Sequence, residues 1–232
     1  MSSPRNSPFE LVIFDCDGVL VDSETIACGI VAKVLAPMGF PVTQEDLASR
    51  FAGVSDREMY SRLERQYGKT IPGDLRRRVA EETMDALASD LQPIPGVLDA
   101  IKAISLPKCV ASGSDSRRVH VSLSRTRLLE YFSPHIFTSE EVDRGKPAPD
   151  LFLHAARRLQ SSPARCLVIE DSVAGVQAGL AAGMYVLGFV GGSHCAANRA
   201  ETLRSAGAAH VFDSMRHLPT LVADARPPES CS

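Results

Sequence analysis

The sequence predicts an α/β protein: a doubly wound parallel sheet with a second, smaller domain that is all helical. Short apolar runs rich in β-branched and aromatic residues recur along the 232-residue chain, beginning with Leu11-Val-Ile-Phe14. Such runs are expected of strands buried on both faces of a parallel sheet. From Pro93 onward they alternate with helical segments of about ten residues, the pattern of βαβ units. Between Ser23 and Leu91, in contrast, the apolar period stays helical and no strand is evident.

The elements follow in order. Leu11–Phe14 is expected to be the central strand, and Ser23 to cap a helix running to about Pro37. Thr43 with Asp46 and Ser55 with Glu58 have the spacing of capping boxes, and Gly68 is placed as a helix stop. A fourth helix, bearing Arg76-Arg77-Arg78, spans Asp74 to Ser89. Helices are then expected over Gly96–Ser105, Asp115–Arg127, Asp150–Gln160, Ser172–Ala182 and Asn198–Ala206. The strands between them are Lys108–Ser112, His135–Ser139, Cys166–Ile169, Tyr185–Val190 and His210–Phe212. The core is thus expected to be discontinuous, residues 1–22 and 92–232, with a helical domain over 23–91 joined to it by two hinge-like linkers.

Composition narrows the function classes. A hydrophobic content of 44% is ample for a packed interior. A net charge of −3 without a basic run argues against a nucleic-acid partner. No run reaches membrane-spanning length, and Met1–Pro8 lacks the apolar centre of a signal peptide. The six cysteines, Cys16, Cys28, Cys109, Cys166, Cys195 and Cys231, show no paired spacing, which favours reduced thiols and a cytoplasmic location. Met1–Pro8 and Pro227–Ser232 are expected to be disordered tails.

The chemistry concentrates at strand ends. Asp15 and Asp17 stand two residues apart after the first strand, so an extended chain points both carboxylates to one side and turns Cys16 away. Like charges so close call for a cation or a proton between them, and a metal is the first expectation. An isolated Asp-x-Asp also occurs in ordinary turns, so the weight rests on the rest of the chain. Ser112-Gly113-Ser114-Asp115 leads from a strand into a helix, where backbone N–H groups and hydroxyls can cradle a phosphate or simply cap the helix. In Gly145-Lys146-Pro147-Ala148-Pro149-Asp150 the Lys146 ammonium can neutralise a carboxylate and a phosphate together. Finally, Glu170-Asp171 ends another buried strand and enters a helix through Ser172, with Gly175 and Gly179 allowing close packing. Hard oxygen ligands from two strand ends suit Mg²⁺.

These four segments, in this order, resemble the four motifs of the haloacid dehalogenase superfamily. The likeness is to its branch of phosphatases and β-phosphoglucomutase-like enzymes with a helical cap. The resemblance implies a Rossmann-like core, with Asp15 as nucleophile and Asp17 as general acid/base. It also implies Ser112 and Gly113 on the phosphoryl oxygens and Lys146 as partner of both phosphate and nucleophile. Mg²⁺ would be held among Asp15, Asp17 (through its backbone carbonyl), Glu170 and Asp171. The implied activity is hydrolysis of a small phosphate ester, by a monomer or weak dimer.

Within the family, hydrolysis competes with phosphosugar mutase activity. The mutase carries a histidine in the cap linker, where this chain has Ala27, and basic residues in a cap loop that here reads Phe51-Ala52-Gly53-Val54-Ser55-Asp56. Phosphatase activity is favoured. Arg50-Phe51-Ala-Gly53-Val resembles the cap loop of sugar-phosphate phosphatases such as those acting on 6-phosphogluconate, which makes Arg50 a candidate for the substrate's distal end. Asp17 argues against haloacid dehalogenation, and the intact motif residues argue against a purely binding protein. His194 and Cys195 lack a partner motif and are read as loop residues.

Overall fold

Alternation along each apolar run divides the interior into two layers. In the computed structural model, which describes residues 8–51, 54 and 56–226, β1 (Leu11–Phe14) sends Val12 and Phe14 into one layer and Leu11 and Ile13 into the other. All four side chains are fully buried, so the run can be continuously apolar. β2 (Lys108–Ser112), β3 (Ile136–Thr138), β4 (Cys166–Glu170), β5 (Tyr185–Phe189) and β6 (His210–Phe212) pair with it in the order β3-β2-β1-β4-β5-β6, every pair parallel.

An insertion of α-helices follows β1 in the chain: α1 (Glu24–Leu35), α2 (Gln44–Phe51), α3 (Asp56–Tyr67) and α4 (Gly73–Asp90). They share an apolar cluster of their own, with Leu35, Leu47 and Leu63 wholly buried. The Thr43–Asp46 capping box forms, each residue's backbone N–H reaching the other's side chain at 3.3 and 3.1 Å. Gly68 ends α3 with a left-handed φ of +62°. Ser55, the N-terminal half of the other expected box, lies outside the described residues, as do Met1–Ser7, residues 227–232 and Cys231.

The remaining helices cover the sheet on both faces. α5 (Val97–Ala103), α6 (Ser116–Arg125) and α7 (Leu129–Phe132) pack on the layer of Val12 and Phe14. α8 (Asp150–Arg158), α9 (Val173–Ala181) and α10 (Arg199–Ser205) pack on the other, and α11 (Leu218–Asp224) returns to the first. The chain leaves the sheet and re-enters it side by side: Asp22 N–H donates to Gln92 O and Ile94 N–H to Leu20 O, both at 3.0 Å.

Two expectations need correction. Ser23 precedes α1 but makes no capping bond: its backbone is already helical, at φ −85° and ψ −24°, and its hydroxyl donates to Asp17. His135–Ser139 contracts to a three-residue strand, since Thr138 and Glu141 form a capping box that turns the chain into a 3₁₀ helix. The helices α7 and α11 are additions to the expected set. Among the described residues no cysteine is in a disulfide, and no helix is long and apolar enough to cross a membrane.

Candidate active site

The strand order reverses between β1 and β4, and a crevice opens at such a switch point beyond the carboxyl ends of the strands. Asp15 follows β1 directly, and its N–H donates to Ile169 O at 3.0 Å, which ties it to β4. Lys146 reaches the same place from the loop before α8. Its Nζ donates to Asp15 Oδ1 at 2.6 Å, Glu170 Oε1 at 2.6 Å and Ala111 O at 3.0 Å. All three donors of the ammonium are thereby used, on groups from β1, β2 and β4.

Glu170 is equally occupied. Its Oε2 accepts from the N–H of Asp171, the N–H of Ser172 and the Ser172 hydroxyl at 2.9–3.0 Å. Ser172 Oγ in turn caps α9 by accepting from Gly175 N–H at 3.0 Å. Gly175 must lack a side chain, because a Cβ there would sit 1.8 Å from Glu170 Oε1.

Carboxylate oxygens of Asp15, Glu170 and Asp171 lie within 4.8 Å of one another, all three residues buried. Burial foremost, and then the negative charges of Glu170 and Asp171, push Asp15 well above the ordinary carboxylate range against the pull of Lys146. Three buried carboxylates, two of them on the Lys146 ammonium and the third on His194, form a donor set that fits a hard divalent cation.

Asp17 lies in different surroundings. Its Oδ1 accepts from Arg118 Nη2 at 3.0 Å and from Ser23 Oγ at 2.5 Å, and its Oδ2 from Ser114 Oγ at 2.6 Å. Burial alone would raise Asp17, but Arg118 and the two hydroxyls outweigh it and hold the carboxyl below its usual range. Two carboxyls two positions apart are thus driven in opposite directions by their surroundings.

The phosphate-cradle segment sits beside them. Asp115, and not Ser114, caps α6, accepting from Arg118 N–H at 2.8 Å. Ser112 Oγ accepts from Ser114 N–H at 3.1 Å, while the Ser114 hydroxyl is given to Asp17. A cavity of about 720 Å³ joins Asp15, Asp17, Ser112, Gly113, Lys146, Glu170 and Asp171 to a wall from the helical insertion. That wall comprises Glu24, Ala27, Cys28, Val31, Phe51, Val54, Asp56 and Met59. Arg50 is not part of the lining: it is exposed, donates to Gln66 Oε1 and lies 5.0 Å over the Phe51 ring.

Three residues that the sequence reading left aside are assembled here. Arg118 pairs with Asp17. Glu24 lines the cavity, and burial first, then the charge of Asp17, pushes it up to about 7. His194 is no ordinary loop residue: its side chain is wholly buried and its Nε2 stands 2.9 Å from Asp171 Oδ2. The only sequence signals for these were a carboxylate next to Ser23, a cation one turn into a helix and a histidine after Gly191-Gly192.

Comparison with known proteins places the chain in a family. A family model described as haloacid dehalogenase-like hydrolase matches residues 12–189. The 6-phosphogluconate phosphatase of Escherichia coli K12 is 33% identical over 189 residues, 81% of this chain and 86% of that protein. The crystal structure of a haloacid dehalogenase-like protein of unknown function from Agrobacterium tumefaciens superposes with a TM-score of 0.86 at 39% identity, covering 93% of this chain and 98% of that one. A HAD family hydrolase from Deinococcus radiodurans R1, with bound phosphate and sodium, gives 0.78 at 35% identity, covering 94% and 97%. The matched segment runs from β1 to the end of β5 and includes Asp15, Asp17, Ser112, Lys146, Glu170 and Asp171, so the chain belongs to the haloacid dehalogenase-like hydrolase family.

Proposed function

We propose that this protein is a Mg²⁺-dependent phosphatase of small phosphomonoesters, of the sugar or sugar-acid phosphate class. The observation that carries the reading is the convergence of Asp15, Lys146, Glu170 and Asp171 at the switch point, with Asp17 held apart on Arg118. The 6-phosphogluconate phosphatase relative supports the substrate class.

In this reading Asp15 attacks phosphorus in line with the leaving alkoxide, the P–O ester bond breaks and an aspartyl-phosphate forms. Asp17 gives a proton to the departing oxygen and then takes one from the water that hydrolyses the intermediate. Asp17 can turn to this task only when substrate displaces donors that hold it ionised. Ser112 and the backbone N–H of Gly113 would donate to the transferring phosphoryl group, and the Lys146 charge held beside Asp15 would stabilise its spread charge. Asp15, Asp171 and the Asp17 carbonyl would hold Mg²⁺, whose charge offsets the repulsion between the anionic nucleophile and the phosphate. Glu170, with four donors already on its two oxygens, serves chiefly to hold Lys146 and the β4–α9 turn. Residues 23–91 form a cap domain whose closure on its two linkers excludes water and selects the substrate. Ala27 at the cavity wall, in place of a histidine, favours water over a sugar hydroxyl as acceptor.

The test is phosphate release from hexose, pentose, polyol and sugar-acid phosphates, with Mg²⁺ and with chelator, for the native chain and Asp15→Asn. Mg²⁺-dependent release, lost in Asp15→Asn with the thermal melt preserved, is expected. Retained turnover in that variant would falsify the assignment.

A further inference from the structure

We propose that His194 is a positioning residue of the cation site: by holding Asp171 Oδ2 it presents the other oxygen of that carboxylate to the divalent ion. The inference rests on the Mg²⁺ reading above and concerns a residue outside the matched family segment, which ends at residue 189.

The geometry is specific. The His194 side chain is 0% exposed, and Nε2 is 2.9 Å from Asp171 Oδ2. Its Nδ1 has no hydrogen-bond partner among the described residues. Apart from the weak 3.6 Å approach of Cys195 Sγ to Nε2, the carboxylate is therefore the only polar contact of the ring among the described residues.

The surroundings are shaped to admit the imidazole. A Cβ on Gly18 would lie 2.9 Å from His194 Cε1 and 2.0 Å from Asp171 Oδ2, and one on Gly192 would lie 2.7 Å from the same Cε1. The loop is pinned from its other side, where Ser193 N–H and Oγ donate to Asp22 Oδ1 at 3.1 and 2.9 Å. Asp22 lies at the exit toward the helical insertion, so the loop that carries the ring is fixed on the nucleophile-bearing segment.

A carboxylate with one oxygen engaged by a fixed N–H cannot rotate freely and offers one oxygen in one direction. Partners of this kind behind a metal ligand change affinity by about 10–100-fold when removed. Packing alone would make any side chain of similar bulk acceptable, whereas orientation requires a donor at the reach of Nε2.

The experiment is calorimetric titration of Mg²⁺ into the full chain, with thermal melting in chelator as the control for folding. The variants are His194→Ala, His194→Gln, whose amide nitrogen can reach as far as Nε2, and His194→Asn, whose amide cannot. We expect Mg²⁺ affinity to fall about 10-fold or more in His194→Ala and His194→Asn and to be largely retained in His194→Gln. Saturating Mg²⁺ should restore kcat in His194→Asn. Unchanged affinity in His194→Ala, or equal weakening in the Gln and Asn variants, overturns the role of His194 while leaving the phosphatase reading intact. Absence of Mg²⁺ binding in the native chain overturns both. If His194→Ala does not fold, the contrast between Gln and Asn decides the matter by itself.

Discussion

The two walls of the cavity are built on opposite principles. On the strand-end side, polar atoms are paired through short contacts, and Lys146 alone links β1, β2 and β4. On the insertion side most of the lining is apolar, with Ala27, Val31, Phe51, Val54 and Met59 beside Asp56 and Glu24, and Glu24 is pushed up to about 7. A network of buried charges tolerates almost no change, because removing one member strands the others in low dielectric. An apolar wall can be reshaped at modest cost. In the proposed reading, the chemistry belongs to the first wall and substrate choice to the second.

The largest effect is expected on the network side. Lys146→Met leaves Asp15, Glu170 and the Ala111 carbonyl without their shared donor. Turnover should fall by at least about 10²–10³-fold. Stability should fall by about 3–5 kcal/mol, which differential scanning calorimetry would register as a drop of about 10 °C. A melt within a degree or two of the native protein would mean that the network is not cooperative.

Gly175→Ala probes the same wall without removing a charge. The added methyl must push Glu170 aside, so we expect a loss of about 1–3 kcal/mol in urea unfolding and weaker Mg²⁺-supported turnover. On the other wall, Met59→Ala enlarges the cavity. It should change the ratio of kcat/KM between a hexose and a pentose phosphate by about 10-fold, as one or two methylenes are worth in an apolar pocket, with little effect on a small aryl phosphate. Equal loss on every substrate would erase the distinction between the walls.

The smallest effect is on pH dependence. The folded protein raises Glu24 from 4.5 to about 7, so it binds this proton more tightly than the unfolded chain does. Stability from this group is therefore fully present below the unfolded value and is lost as pH rises through about 7. Glu24→Gln should melt closer to the native protein at pH 5 and higher than it at pH 8. A constant difference between the two proteins across this range would remove Glu24 from the account.

What the sequence revealed follows the same division. The strands were legible because burial on both faces writes a continuous apolar run, as in Leu11–Phe14 and Cys166–Ile169, and the carboxylates at their ends are local. The charged groups behind those carboxylates were not. Arg118 reaches Asp17 across 101 positions, and His194 and Asp171 meet only because β4 and β5 are neighbours. Ser23 has the residue type and place of a helix cap, yet its backbone already has helical angles, φ −85° and ψ −24°, where a capping residue is extended. α11 escaped because seven residues starting Leu218-Pro219 are too few to display a helical period.

The proposed chemistry turns on Asp15 carrying the phosphoryl group, and the most direct measurement is to find it there. Asp17→Asn should still be phosphorylated by nitrophenyl phosphate, a leaving group that needs no acid, but should be slow to hydrolyse the intermediate for want of a base. After acid quench in Mg²⁺, mass spectrometry should locate one phosphoryl group on the peptide containing Asp15. No modified peptide, or a phosphoryl group on any other residue, would contradict the account.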